Sequence, residues 1–353
     1  MIDAHAMTRL QTHSSVSARL ARLDDGALAA LVETASPLHS GIGGSSRRLT
    51  IDGASVFVKK VPLTDLERIP RNVHSTANLF DLPMFCQYGL GGCPGFGAWR
   101  ELAANLTATD WVLRGECENF PVLYHWRVMP ASKPAPMNAE ELAALERDVS
   151  FWENSDAVRD RIKAVHDASA HLVLFSEYVP QNLLEWLTAR FEMGADAAEE
   201  AVAFVKRTLW STNAFMNAHG LTHFDVHFEN IMTDGRLLYF GDFGLALSSE
   251  FELTDAERAF LARHGSYDHG RAAVGFVHAI SASFFGKDGW KEGLNKYLKT
   301  GNPLVPPAVA AALERWAPVA LAFLEFSRGL RNEGKQIAYP AERMEGMLAK
   351  IEI

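Results

Sequence analysis

The stretch that decides the fold is residues 221–247, which read LTHFDVHFENIMTDGRLLYFGDFGLAL. The turn residues at 233–235 lie between two apolar runs and predict a β-hairpin. Because a hairpin folds its two strands back on each other, we expect Asn230 and Asp242 to lie at one edge. Their oxygens are ligands of the kind that Mg²⁺ takes in proteins, together with waters and phosphates. Asp225 remains as a carboxylate that can orient or deprotonate a hydroxyl group.

The same stretch contains an alternative metal pattern. His219, His223 and His227 recur every four residues, which on one continuous helix would form a three-histidine face suited to zinc. Gly220 and the change to strand periodicity after Asn230 argue against one continuous helix here. We therefore favour the hairpin interpretation over the zinc site.

A glycine cluster near the start of the chain predicts a turn that can approach phosphate groups. Gly41, Gly43 and Gly44 precede a predicted β-hairpin whose turn is at residues 52–53. Glycines lack a Cβ, so backbone N–H groups can come close to phosphate oxygens, and Ser45 adds a hydroxyl. Many ordinary turns have the same composition, so the cluster by itself is weak evidence for a phosphate site.

Lys59 follows the cluster at the end of a predicted apolar strand that reads VFVK, and it strengthens the phosphate interpretation. We expect its ammonium to reach toward a nucleotide held by the glycines. Lys60 is the rival, but successive strand residues point to opposite faces, so only one of the two lysines can point inward. Glu101 lies near the start of a predicted helix, where a glutamate is ordinarily a solvated charge that favours the helix dipole.

The order of patterns along the chain predicts several parts. Residues 1–15 are polar and aperiodic, and we expect them to be flexible. An apolar strand that ends at Glu177 is followed by a short helix, which marks a passage between two parts of the chain. The predicted parts are a helical extension (1–36), a strand-rich part (37–178) with insertions near 62–98, read as a lid-like loop, and near 131–165, and a helical part (179–353).

Composition limits the class of protein. The chain has 353 residues, of which 48% are hydrophobic and 22% charged, as in folded globular proteins. No signal-peptide pattern and no long uninterrupted apolar run is present, so we expect a cytoplasmic protein. The three cysteines match no zinc motif and are expected to be free thiols. A net charge of −9 disfavours general binding to nucleic acid or to an anionic membrane.

The pattern H-x-D-x-x-x-x-N followed by D-F-G, at residues 223–230 and 242–244, resembles the protein-kinase-like superfamily. This superfamily includes eukaryotic-type Ser/Thr kinases and the aminoglycoside, choline and related small-molecule kinases. The resemblance implies an α+β, bilobal fold with a small antiparallel-sheet N-lobe and a mainly helical C-lobe. It extends from about residue 38 to residue 247 and does not cover the N-terminal helix or the C-terminal third.

The resemblance also implies ATP and Mg²⁺ as cofactors and a role for each matching residue. Asp225 would be the catalytic aspartate, and Asn230 and Asp242 would hold magnesium. His223 would brace the catalytic loop. Lys59, paired with Glu101, and the glycine loop at Gly41, Gly43, Gly44 and Ser45 would bind the nucleotide phosphates. Glu177 and Val179 would contact the nucleotide at the passage between the lobes.

The nature of the phosphate acceptor stays open between alternatives that rank closely. D-F-G-L-A favours a protein serine or threonine, which we take as the first expectation. His227 stands where protein kinases usually have a lysine, and no A-P-E tripeptide follows Gly244, which favours a small-molecule acceptor. A nucleotide-binding pseudokinase without catalysis is a third alternative, because the glycine loop is irregular and the insertions are long.

Overall fold

A computed structural model describes residues 4–41, 44–90, 93–132, 134–302 and 304–351. The helices are α1 (Ala4–Ala21), α2 (Asp25–Glu33), α3 (Asp65–Arg68), α4 (Ala98–Leu113), α5 (Ala139–Phe151), α6 (Asp156–His166), α7 (Leu183–Glu192), α8 (Ala195–Ala218), α9 (Asp255–Arg263), α10 (Tyr267–Phe285), α11 (Trp290–Thr300), α12 (Pro307–Asn332) and α13 (Ala341–Leu348). The strands are β1 (Ser36–Gly41), β2 (Gly44–Ile51), β3 (Ala54–Leu63), β4 (Leu123–Pro130), β5 (Ala170–Glu177), β6 (Gln181–Asn182), β7 (Leu221–Thr222), β8 (Ile231–Thr233), β9 (Leu238–Phe240) and β10 (Leu247–Ser248).

The fold is α+β, with a small antiparallel sheet and many helices. The chain forms two compact units. The first unit comprises Met1–Val179 and Asp242–Arg258, and the second comprises Pro180–Gly241 and Ala259–Ile353.

A five-stranded antiparallel sheet in the order β1-β2-β3-β5-β4 organises the first unit. The centre of β3 alternates valines with other residues, and Val56 and Val58 are fully buried. Side chains on one side of the sheet pack against Trp99 and Leu102 of α4. Because α4 packs on the sheet through these apolar residues, its position relative to β3 is fixed.

The first unit departs from the sequence-based expectations at three places. Residues 4–15, expected to be part of a flexible end, are helical, because α1 begins at Ala4 and its Arg9 is buried; residues 1–3 lie outside the described residues. β3 continues to Leu63, so Lys59 lies inside a strand and not at its end. The segment read as a lid-like loop contains α3, two short 3₁₀ turns and buried side chains such as Phe85.

Helices form most of the second unit. The elements α7, α8 and α12 pack around α10, and the rings of Trp210 and Trp316 stack with their centroids 3.5 Å apart. The predicted hairpin is present as β8 and β9, with Ile231 paired to Phe240. Gly235 in its turn has a φ of +84°, a conformation that glycine adopts without strain.

Two further sequence-based expectations concern the cysteines and the apolar segments. Cys86, Cys93 and Cys117 are free thiols, as predicted. Among the described residues, α12 is the one helix that is long and apolar enough to cross a membrane by length and composition alone. Half of its most apolar window is buried inside the fold, where Trp316 and Phe323 are buried.

Candidate active site

The two adjacent lysines of β3 have different partners. The Nζ atom of Lys59 lies 2.7 Å from Oε1 of Glu101 and 2.8 Å from Oδ1 of Asp242. The Nζ atom of Lys60 lies 3.1 Å from Oε1 of Glu33 in α2. Strand alternation therefore separates the two lysines, and Lys59 is the one directed at Glu101, as the resemblance implies.

Lys59 is a charged group in a buried place. Its side chain is 12% exposed, and that of Glu101 is 5% exposed. Burial favours the neutral amine, but the carboxylates of Asp242 and Glu101 outweigh it and raise the pKa of Lys59. Lys59 therefore carries its positive charge at neutral pH, next to the half-exposed carboxylate of Asp242.

Glu101 owes its position to the start of α4. The backbone N–H of Ala98 donates to Oε1 of Glu67 at 2.6 Å, which satisfies one of the free donors at the start of the helix. Arg161 donates to the other carboxylate oxygen of Glu67 at 2.9 Å. This buried network holds the first turn of α4, and with it Glu101, against β3.

Asp242 has a left-handed backbone with a φ of +62°, which aspartate adopts more readily than most residues. Its Oδ1 atom accepts the N–H of Gly244 at 3.4 Å. A Cβ on Gly244 would stand 3.4 Å from Asp242 Oδ1 and 3.5 Å from Glu101 Oε2. The DFG segment therefore lies directly against the Lys59 ion pair.

A closed set of hydrogen bonds shapes the loop around Asp225 in the second unit. The Nδ2 group of Asn230 donates to the backbone oxygen of Asp225 at 3.2 Å and to its Oδ2 atom at 3.0 Å. His223 holds the same loop, since its Nε2 donates to the carbonyl oxygen of Gly241 at 2.9 Å and its Nδ1 accepts the N–H of Asp225 at 3.3 Å. The loop residues expected to act together are thus in contact.

Asp268, near the start of α10, is a site residue that the sequence analysis missed. Its buried carboxylate accepts the backbone N–H of His223 at 2.7 Å and that of Phe224 at 2.9 Å. Phe224 has a φ of +63°, so these bonds hold the backbone in a conformation that costs energy for an aromatic residue. No motif or spacing connects Asp268 to the loop, so only the folded structure identifies it.

The carboxylate of Asp225 is ionised at neutral pH. Burial raises its pKa, but the nearby His227, His223 and Arg271 outweigh burial and lower it below the ordinary value. The Nε2 atom of His227 lies 3.6 Å from Asp225 Oδ2. An ionised carboxylate in such surroundings can accept a hydrogen bond, or a proton, from a hydroxyl group.

The two expected metal ligands present hard oxygen donors. Asn230 uses its amide nitrogen for Asp225, while its Oδ1 atom accepts no hydrogen bond from the residues that the structure describes. The carboxylate of Asp242 is 47% exposed. An amide oxygen and a carboxylate fit Mg²⁺. Gly241, the residue before Asp242, donates its N–H to the carbonyl oxygen of Asn230 at 3.0 Å.

The three-histidine alternative does not match the structure. Helix α8 ends at Ala218 with His219 at its C-cap, and residues 221–222 are a strand. The three histidines therefore do not share one helical face. Across the described ranges, no group of three or more His, Cys, Asp or Glu side chains is placed to hold a metal ion.

The glycine cluster lies where β1 and β2 meet. Gly41 and Gly44 form the last residue pair of these two strands, whereas Gly43 lies outside the described residues. Gly44 has a φ of +114°, and a Cβ there would stand 2.0 Å from the carbonyl oxygen of Lys60. The next pair is Ser45 with Lys60, so the cluster neighbours the two lysines of β3 in the sheet.

The last two residues expected at a nucleotide site are Glu177 and Val179. Arg9 donates to the Glu177 carboxylate through Nε at 3.0 Å and through Nη2 at 2.7 Å. The N–H of Val122 donates to the same carboxylate at 3.2 Å. The side chain of Glu177 thus holds α1 against the first unit. Val179 is the last residue of this part of the first unit.

No protein-family model matches this chain, and no curated protein matches it either.

Proposed function

We propose that the chain is an ATP- and Mg²⁺-dependent phosphotransferase of the protein-kinase-like superfamily, which transfers the γ-phosphate to a hydroxyl group. In this proposal the first unit is the N-lobe of a bilobal fold and the second unit is the C-lobe. Lys59 with Glu101 and the glycines at Gly41–Gly44 would bind the phosphates, and Asp225 would receive the hydroxyl.

The observation that carries the proposal is the buried Lys59 ammonium with its two carboxylates. A buried charge is costly unless it is paired, so a lysine in this position needs a reason to stay charged. Glu101 is nearly fully buried and serves as a permanent partner, whereas Asp242 is half exposed. This leaves an oriented cation that phosphate oxygens can reach beside a carboxylate suited to Mg²⁺.

The chain's own residues supply positioning, charge and proton transfer. The acceptor hydroxyl oxygen forms a new bond to the γ-phosphorus while the bond from that phosphorus to its bridging oxygen breaks, and ADP leaves with the electron pair. Asp225 orients the hydroxyl and takes its proton, which passes on to solvent. His223 and Asp268 hold the backbone of the Asp225 loop. Lys59 neutralises phosphate charge, and most of the rate enhancement comes from positioning and electrostatics.

Asn230 and Asp242 are the residues assigned to Mg²⁺. When bound, the ion would neutralise the negative charge that develops on the phosphate oxygens. The Oδ1 atom of Asn230 and the exposed part of the Asp242 carboxylate are the donors that fit it.

The test compares Lys59→Met with Lys60→Met. Both variants remove one ammonium from β3, but only Lys59 pairs with Glu101. We expect Lys59→Met to lower ATP consumption by roughly a hundredfold or more, since it removes an electrostatic contact to the transferred group. Lys60→Met should retain wild-type turnover. Circular dichroism confirms that both variants are folded at the assay temperature.

The outcomes separate the alternatives. Thermal-shift titration with ATP and Mg²⁺ is run beside the ATP-consumption assay on the wild-type protein. Binding of Mg-ATP without turnover or autophosphorylation would favour the pseudokinase. Equal turnover by the two lysine variants would remove Lys59 from the site. The acceptor expected first is a protein serine or threonine, but a cavity in the second unit favours the small-molecule alternative.

A further inference from the structure

A cavity of about 410 Å³ lies within the second unit, next to the Asp225 loop. Cavities of roughly 300 to 1,000 Å³ suit small-molecule ligands. One wall is formed by His227, Phe228 and Glu229, which directly follow the Asp225 segment, and other walls come from α10 and the start of α11. The cavity is therefore of the size and in the place that a small acceptor of the proposed reaction needs.

The charges around this cavity are mainly positive, although the whole chain has a net charge of −9. Arg271 and Lys291 line it together with two histidines, and Glu229 is the one acidic residue in the lining. The Nζ atom of Lys291 stands 5.5 Å from the centroid of the Trp290 ring. Two cations in a cavity of this size favour an anionic ligand over a cationic one.

Arg271 is the strongest indication of a ligand. This residue is half-buried, and it makes no hydrogen bond or ion pair with any residue in the described ranges. A guanidinium carries five N–H donors in a planar fork that matches a carboxylate or a phosphate. The described part of the chain supplies no partner for these donors, so they are available for a charge-assisted contact with a ligand anion in the cavity.

The cavity also connects to the proposed base. His227 lines it, and its Nε2 lies 3.6 Å from Oδ2 of Asp225. A molecule with an anionic group at Arg271 and a hydroxyl group several bonds away would present that hydroxyl toward Asp225.

We propose that this cavity is the acceptor site and that the acceptor is a small hydroxylated anion, a carboxylate or a phosphate monoester. This inference rests on the proposed phosphotransferase activity. Arg271 binds the anion with Lys291 at the rim, the Trp290 ring forms an apolar wall, and the hydroxyl group faces Asp225. The small volume of the cavity favours a metabolite over a folded protein substrate.

The first experiment tests the site without catalysis. Inorganic phosphate is titrated into the full-length protein without nucleotide, and binding is followed by ³¹P NMR line broadening. We expect saturable binding that Arg271→Ala weakens by roughly tenfold, the value of one lost charge-assisted contact. Lys299→Ala is the matched control, because it removes an exposed cation of the same helix as Lys291 outside the cavity lining, and it should bind phosphate as the wild type does.

The second experiment tests the acceptor class. A cellular small-molecule pool is divided on an anion exchanger before the reaction, and transfer of label from γ-labelled ATP is measured with each fraction and with proteins. We expect label in a compound from the retained, anionic fraction, with a raised acceptor KM for Arg271→Ala and not for Lys299→Ala.

Each result has a defined meaning. Label only in the unretained fraction or only in protein overturns the anionic acceptor but leaves the phosphotransferase standing. No labelled acceptor together with no binding of Mg-ATP overturns the proposed function, while the phosphate titration still decides the cavity. If the wild type and Arg271→Ala bind phosphate equally, the phosphate is an adventitious ion only and the anion site is overturned. The absence of saturable binding by the wild type also overturns it.

Discussion

The two carboxylates around Lys59 differ in exposure, and this difference separates their roles. Glu101 is 5% exposed, so water does not compete for its contact with Lys59, and this contact holds the lysine in one direction. Asp242 is 47% exposed and can exchange its contact with Lys59 for a contact with a ligand. Under the proposed function, we therefore expect Glu101 to position Lys59 and Asp242 to bind the ligand.

Glu101→Gln tests this division of roles. The amide keeps the shape of the side chain but removes the charge that holds Lys59. We expect kcat/KM for Mg-ATP to fall roughly ten- to a hundredfold, because Lys59 loses its fixed orientation. Steady-state kinetics with varied Mg-ATP measures it. Glu33→Gln is the matched control, since it removes the partner of Lys60, and it should leave kcat/KM unchanged. A Glu101→Gln enzyme with wild-type kinetics would contradict the assignment.

The sequence pattern could group the residues of the Asp225 loop because the proposed chemistry requires particular residue types at short spacings. His223, Asp225 and Asn230 lie within one loop, so their contacts follow from local chain geometry. Asp268 and Arg271 could not be predicted in this way, because they lie on α10 and reach the loop only through tertiary packing.

At the scale of elements, α1 shows how a single polar residue can fix a helix. Arg9 is 6% exposed and donates to Glu177 and to the carbonyl oxygens of Glu118 and Phe120. These partners are more than a hundred residues away in the sequence. The residues around Arg9 lack a regular apolar stripe, which is why the sequence indicated a flexible end where the structure has a helix.

Arg9→Met should destabilise the first unit. The substitution keeps the apolar stem of the side chain but removes the guanidinium that donates to the Glu177 carboxylate and to two carbonyl oxygens. Of the donors to that carboxylate described above, the Val122 N–H remains. We expect the free energy of unfolding to fall by about 3 kcal/mol, the cost of an unpaired buried charge. Urea denaturation measures the change. Arg22→Met, at an exposed position just after α1, is the control, and an equal effect of both substitutions would contradict the role of Arg9.

The hairpin of β8 and β9 is the opposite case, because its turn residues determine it locally. The carboxylate of Asp234 accepts the N–H groups of Arg236 and Leu237 at 2.8 and 2.9 Å, and glycine follows at the position with positive φ. Such turn chemistry is visible in the sequence. Element type was therefore predictable here, whereas the length of β3 past Lys59 depends on its pairing with β5.

At the scale of the whole molecule, buried histidines link the stability of the second unit to pH. Burial lowers the pKa of both His264 and His269 to about 4. The unfolded chain, with a histidine pKa near 6.5, therefore binds more protons than the folded chain between about pH 4 and 6.5. The contribution of these two histidines to the free energy of unfolding is therefore full above pH 6.5 and is lost as the pH falls through this window.

We expect the free energy of unfolding to fall by about 2 kcal/mol for each of these histidines between pH 7 and pH 5. His269→Leu removes one titrating group whose Nδ1 atom has no hydrogen-bond partner among the described residues. Between pH 7 and pH 5, the fall in the free energy of unfolding should therefore be about 2 kcal/mol smaller for His269→Leu than for the wild type. Denaturant unfolding at both pH values measures the difference, and parallel pH profiles would contradict this account.

The cavity of the second unit shows the limit of sequence-based prediction at this scale. Its cationic residues come from α10 and α11, in the C-terminal third, where no motif resembled a known family. Arg271 and Lys291 approach the loop that contains His227 only because the helices pack around α10. The expected acceptor class therefore moves from a protein hydroxyl to a small anion when the folded chain is considered.

The most direct test of the central claim is transfer of labelled γ-phosphate by Asp225→Ala, measured together with its Mg-ATP binding. Asp225 is assigned to the acceptor hydroxyl and not to the nucleotide, so we predict that transfer is abolished while thermal-shift titration shows Mg-ATP binding close to that of the wild type. Transfer by Asp225→Ala at the wild-type rate would contradict the assignment of this residue as the catalytic base.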